Sequence, residues 1–274
     1  MPTLLFHVDA FTRVPFRGNP AAVVVLDGPR DEAWMQAVAR EMNVSETAFA
    51  SLLPSGAFAL RWFTPITEVP LCGHATLATA AVLLSQGVVA GSVDFDTLSG
   101  RLTVTAEGQA YRLDLPALAS EPTEAPEIVA ALGLSGAEAL EVRVSQAGRK
   151  WIVRVASAAE VRRVVPDLLA LLGASNPLGI RGVVVTAPGS GDPSESGAHF
   201  VSRYFAPWVG VPEDPVTGSA HALLGPYWAG RLGRTRLLAA QLSERGGELG
   251  VEVAGDRVQL TGSCVLLSRG FWLG

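Results

Sequence analysis

The stretch "RWFTPITEVPLCGHAT", residues 61–76, returns further along the chain as "RYFAPWVGVPEDPVTGSAH", residues 203–221, with three extra residues in the second copy. Each copy runs as an Arg–aromatic–Phe–x–Pro strand, a loop, and then a glycine with a small or polar residue that opens a helix. An internal repeat at so long a period is the mark of a duplicated domain. The order of elements around the two copies agrees with this. The first half reads as strands "TLLFHVDAF" and "AAVVVL" about a turn at "RGNP", a helix "DEAWMQAVAREM" that Asp31 can cap, strands "TAFASLL" and "FALRWF", the helix of the opening stretch, and antiparallel strands over 93–116. The second half repeats strands "EVRVSQ" and "KWIVRV", one helix over 158–172, the strand "GVVVTA", a polar loop at 189–197 and a further strand. "ALASEPTEAPE", poor in large apolar residues, marks a boundary between domains 1–118 and 119–274, with the last strand free to cross back.

Composition narrows the function classes. A chain of 274 residues suits two domains. The formal net charge is −5 and the 21 Lys and Arg form no basic run, so nucleic acid is not an expected partner. Mean hydropathy is +0.31, yet the longest apolar stretch, near 75–84, falls well short of the ~20 residues of a spanning helix, so no membrane is expected. The start "MPTLLFHVDAFTRV" has no signal-peptide pattern. Two cysteines, Cys72 and Cys264, make no disulfide framework, and no ligand spacing points to a metal. A cytoplasmic protein without metal follows. No G-x-G-x-x-G follows a strand, which makes a nucleotide-binding oxidoreductase the weakest option.

The repeated helix starts carry the first chemistry. The leading N–H groups of a helix lack internal partners and sit at the positive end of its dipole, so they bind anions. Gly73 and Gly218 permit close backbone approach there, and two such termini facing one cleft would hold a carboxylate or an enolate-like intermediate. The plainer reading, glycines that only turn the chain into buried helices, stands beside it. Glu46 lies between a helix and a buried strand, where desolvation would raise its pKa and suit it to proton transfer; an exposed loop glutamate is the commoner arrangement. His74 donates to substrate or satisfies a carbonyl. Asp214, before a proline, reads as turn-making, and Ser219 as a helix N-cap. Cys72, beside a helix start, has the setting of a lowered thiol pKa. Its counterpart in the second copy is Thr217, too weak an acid for a two-thiol racemase.

Five ordered motifs, "VDAFT…FRGNPAAVV" (8–25), "MNVSETAF" (42–49), "RWFTP…LCGHATLA" (61–78), "EDPVTGSAH" (213–221) and "ERGGEL" (244–249), resemble the PhzF-like phenazine-biosynthesis family, which shares the diaminopimelate epimerase fold. The resemblance covers nearly the whole chain. It implies an α/β (α+β) fold of two similar domains, each a curled, mostly antiparallel sheet or barrel around a central helix, an active site in the cleft between them, and a homodimer. It implies Glu46 as the acid/base, with His74, Asp214 and Ser219 binding or orienting substrate. Gly73 and Gly218 would present amides to its carboxylate, and Asn19 would lie near the cleft. The expected activity is a cofactor-independent isomerisation by proton transfer on a small anionic, carboxylate-bearing substrate. An amino-acid racemase or epimerase, and a small-molecule binder without catalysis, are the alternatives.

Overall fold

A computed structural model describes residues 3–192 and 197–273, so part of the expected polar loop at 189–197 lies outside the described residues. The chain divides into two compact units: Met1–Leu115 together with Gln259–Gly274, and Pro116–Val258. No helix among the described residues is long and apolar enough to cross a membrane.

Unit 1 contains β1 (Thr3–Ala10), β2 (Asn19–Leu26), α1 (Glu32–Met42), β3 (Glu46–Leu52), β4 (Phe58–Phe63), β5 (Glu68–Val69), α2 (Gly73–Ser85), β6 (Ser92–Thr97), β7 (Gly100–Glu107) and β8 (Ala110–Pro116). Unit 2 contains β9 (Glu121–Pro122), α3 (Pro126–Ala131), β10 (Glu141–Ser145), β11 (Lys150–Arg154), α4 (Ala158–Arg163), α5 (Leu168–Gly173), β12 (Gly182–Pro188), β13 (Phe200–Ala206), β14 (Val211–Asp214), α6 (Gly218–Leu232), β15 (Arg236–Gln241) and β16 (Gly247–Ala254). The chain returns through β17 (Arg257–Gly262) to β18 (Cys264–Trp272), which pairs with β1.

The strand order shows the duplication. In unit 1, β1 pairs antiparallel with β2, β2 parallel with β3, β3 antiparallel with β4, and β4 parallel with β6. In unit 2, β10, β11, β12, β13 and β15 repeat these four relations in the same sequence of senses. The repeated motifs make the same contacts. Arg61 forms a two-bond pair with Glu68 at 2.6 and 2.7 Å, and Arg203 forms one with Glu213 at 2.7 and 2.8 Å. The guanidiniums also cover the rings of Phe63 and Phe205. The three extra residues of the second copy fall between the partners of that pair, in the short 3₁₀ turn at Pro207–Val209. Losing either arginine leaves a partly buried carboxylate unpaired. Arg61→Met and Arg203→Met are each expected to cost about 1–3 kcal/mol, read as a lower urea midpoint. Arg203→Met should cost more, because Arg203 also donates to the Val164 carbonyl at 2.7 Å.

α2 explains the curl of the first sheet. Every residue from Gly73 to Leu83 is buried, and β1, β2, β3, β6, β7 and β18 all pack against this helix. A helix walled on all sides needs small residues and no exposed polar stripe. Ala75, Ala78, Ala80 and Ala81 keep the helix slim, while the hydroxyls of Thr76 and Thr79 donate back to the carbonyls of Cys72 and Ala75 at 2.5 and 2.7 Å, which satisfies them without solvent. α1 behaves as its pattern predicts: Asp31 accepts from the Trp34 N–H, Met35, Val38 and Ala39 are buried, and Trp34 and Met42 pack partly against the same cluster.

The single helix expected over 158–172 is two. α4 ends at Arg163 and α5 begins at Leu168, because the residue before Pro166 is pushed out of the helical region and Asp167 caps a fresh helix by accepting from the Ala170 N–H.

Candidate active site

In unit 1 three elements bring Asn19, Glu46, Cys72 and His74 together. Glu46 is the first residue of β3, opposite Ala21 of β2. It follows the left-handed turn at Asn43 that ends α1, so the chain enters the strand with the carboxylate only 15% exposed. His74 stands in the first turn of α2 and is 3% exposed; its Nε2 lies 3.3 Å from Glu46 Oε2. Asn19, fully buried at the start of β2, places its side-chain nitrogen 3.0 Å from His74 Nδ1. An amide nitrogen only donates, so this network assigns Nδ1 as acceptor and leaves the ring proton on Nε2, facing the carboxylate. Burial pushes the His74 ring down to about 3, with the Pro20 carbonyl offsetting part of that. The ring is therefore neutral at physiological pH, and it lies against Glu46, at 3.3 Å, as an uncharged imidazole rather than as a cation. A part-buried carboxylate held from behind by a neutral, oriented imidazole has the arrangement of a general base.

Cys72 occupies the N-cap position of α2 without a side-chain cap bond, and its sulfur is 3.5 Å from His74 Nδ1. One donor atom each from Glu46, Cys72 and His74 lies within 4.8 Å of the others, a mixed O, S, N set that a borderline divalent cation would accept. Sequence spacing did not signal this cluster, because its members come from separate elements.

Unit 2 assembles its own group around the start of α6. Asp214 ends β14 and is buried; Thr217 donates its hydroxyl to the Asp214 carboxylate at 2.5 Å. Gln241 of β15 ties both to the sheet, accepting from the Thr217 N–H at 2.9 Å and donating to the Asp214 carbonyl at 2.6 Å. Gly218 opens the helix as expected. Ser219 does not cap it: Thr217 is the N-cap residue and Ser219 is the second helical residue, half-buried. Sequence reasoning missed Gln241, which is visible only once β15 is placed beside β13. His221, the counterpart of Thr76, repeats that residue's bond one turn back, its Nδ1 meeting the Thr217 carbonyl at 2.9 Å. Burial pushes its ring down to about 4.

These two rings set an acid limit on stability. Unfolded, each binds a proton near 6.5; folded, His74 does so near 3 and His221 near 4. The unfolded state thus binds more protons below 6.5, and stability falls as the pH drops through that window, by up to about tenfold in the folding constant per pH unit and ring. Urea midpoints between pH 7 and pH 4 should fall, and His221→Gln should flatten that fall.

Residues 8–270 match the family model described as phenazine biosynthesis-like protein. An uncharacterized isomerase of Pseudomonas aeruginosa is 46% identical over 98% of both chains. A crystal structure of a PhzF-family phenazine biosynthesis protein from Enterococcus faecalis superposes with a TM-score of 0.89 at 43% identity, covering 98% of both chains. A hydroxyproline epimerase of Agrobacterium vitis, solved with bound trans-4-hydroxy-L-proline, shares the fold at a TM-score of 0.60 and 14% identity, over 98% of this chain and 93% of that one.

Proposed function

This chain belongs to the phenazine biosynthesis-like protein family and has the diaminopimelate epimerase-like fold, and on that premise we propose that it is an isomerase that moves a proton on a small carboxylate-bearing substrate without a cofactor. Glu46 takes the proton from an activated carbon and returns it elsewhere on the substrate. The observation that carries this is the Asn19–His74–Glu46 chain, in which a buried amide fixes a neutral ring and the ring orients a single carboxylate. The free N–H groups at the start of α2, at Gly73 and His74, supply the positive ends on which negative charge develops as the proton leaves. In unit 2, Gly218 and Ser219 offer the same kind of helix start, with Asp214 as a binding carboxylate.

One base, rather than two, also fits the duplication. Phe63 pairs with Thr47 as Phe205 pairs with Val183, which makes Gly182 the unit 2 counterpart of Glu46. Thr217 and Ser219 stand where unit 1 has Cys72 and His74. None of these three titrates near neutral pH, so the repeat has not kept a second acid/base group at the matching positions. That supports a proton shift over a two-base inversion of configuration.

The test is a panel of small carboxylic acids with acidified C–H bonds, incubated with the protein in deuterated water and followed by proton NMR. Protein-dependent exchange at carbon that persists with a chelator present supports the reading. Ligands that bind with no exchange would replace it with the binding-protein alternative.

A further inference from the structure

The register of the two duplicated sheets places four positions of each unit in one row on one face. In unit 1 the row is Ala21, Glu46, Trp62 and Val69: Ala21 lies opposite Glu46, Trp62 opposite Ala48 two residues on from Glu46, and Val69 opposite Trp62. In unit 2 the same relations give Lys150, Gly182, Tyr204 and Asp214. The first row carries one charge, in its second place. The second row has lost that charge and carries two others, at its ends. Gly182 has no side chain, and a Cβ there would lie 2.1 Å from the phenol oxygen of Tyr204, so the aromatic ring fills the space that the counterpart of Glu46 would occupy. Tyr204 in turn packs under the ammonium of Lys150, which sits 5.6 Å from the ring centre.

We propose that Lys150 is a positioning residue of the unit 2 site, a buried ammonium that works with Tyr204 to hold the Asp214 carboxylate charged and aimed beside the start of α6. The proposal rests on the reading of Asp214 as a substrate-binding group. Lys150 is only 8% exposed, and its Nζ makes one hydrogen bond, at 2.9 Å, to the Gly148 carbonyl. An ammonium taken out of water with one neutral acceptor is poorly compensated unless a negative charge lies near. Asp214 is that charge: burial pulls the Lys150 ammonium down to about 8, and the field of Asp214 raises it against that pull. Among the described residues, the pair is faced by the neutral groups Tyr204 from β13, Thr217 from the start of α6 and Gln241 from β15. The neighbouring charges Arg203 and Glu213 alternate to the opposite face of their strands and close on each other. Lys150 and Asp214 therefore form a pair whose members bracket an aromatic ring, and the repeat shows it to be specific to unit 2, since Ala21 and Val69 stand in the matching places.

Carbon-13 NMR of the side-chain carboxyls, with Asp214→Asn identifying the signal, reads the coupling directly in the full chain. In Lys150→Met the Asp214 carboxyl should titrate at a proton concentration about tenfold lower or more, and Lys150→Arg should restore it. Coupling is reciprocal, so in the isosteric Asp214→Asn the Lys150 ammonium, followed at its ε-carbon, should lose its proton at a lower pH than in the parent. This second arm holds even if Lys150→Met fails to fold. Once a substrate is in hand, Lys150→Met should raise KM and shift the acid limb of the pH profile, with Lys150→Arg recovering both. Asp214 and Lys150 titrating independently would overturn the pairing, and coupled titrations with an unchanged KM would reduce it to a structural contact. Both outcomes leave Glu46 untouched, whereas exchange that survives Glu46→Gln would overturn the isomerase reading and leave this coupling standing.

Discussion

Glu46→Gln is expected to lower kcat by about 10²–10⁴-fold, the range supplied by a positioned general base. Glutamine keeps the volume of the side chain, so the 3.3 Å approach to His74 and the packing at the start of β3 survive. What is lost is the ability to take up a proton. KM should change little, because the helix-start amides at Gly73 and His74 are left in place. A matched loss in kcat and kcat/KM, in a variant with the parent's urea midpoint, is the signature of a group acting in the transition state. Glu68→Gln provides the comparison. That carboxylate lies in the same unit and is engaged by Arg61 at 2.6 Å, and its loss should be felt in stability and not in kcat.

Gly18→Ala is expected to destabilise the protein by about 3–5 kcal/mol, the sum of a strained backbone and a clash that cannot relax. Gly18 has φ of +70°, and a Cβ there would stand 2.2 Å from the Ala10 carbonyl oxygen and 2.8 Å from the Thr12 side chain. The near atom is backbone, so relief requires opening the last rung of the β1–β2 ladder, where Ala10 pairs with Asn19. The cost then reaches the candidate site, because Asn19 holds His74 Nδ1. Gly56→Ala separates the two contributions. Its φ is +86° with nothing within 4 Å, so it pays only for the left-handed backbone, about 1–2 kcal/mol. Urea denaturation of both variants checks the difference. If Gly18→Ala cost no more than Gly56→Ala, the tight β1–β2 turn would not be what places Asn19.

Much of this architecture was legible because the repeat is written in local chemistry. Arg–aromatic–Phe–x–Pro announces a strand, Gly–His and Gly–Ser announce helix starts, and the three-residue offset between copies can be counted without a structure. Over 158–172 the apolar spacing continues through Pro166 and reads as one helix, while the backbone obeys the proline and breaks there. The site was legible in part. Glu46, His74 and Asn19 stand in motifs, but their contact depends on how β2, β3 and α2 stack. Ser219 looked like a cap because serine usually is one, and only the helix boundary shows Thr217 in that place. Lys150 and Tyr204 gave no signal at all. Their meaning comes from register across β11, β12, β13 and β14, which only the folded sheet aligns. Cys72, a thiol at a helix start, lies 3.5 Å from His74 Nδ1, and its sulfur is within 4.8 Å of a Glu46 carboxylate oxygen.

The proposed mechanism passes the proton through Glu46. Proton NMR in deuterated water, on a carboxylate substrate turned over by the parent protein, tests it most directly. Deuterium should enter at carbon with the parent and stay out with Glu46→Gln, while Cys72→Ser continues to exchange. Exchange by Glu46→Gln at the parent's rate would contradict the account.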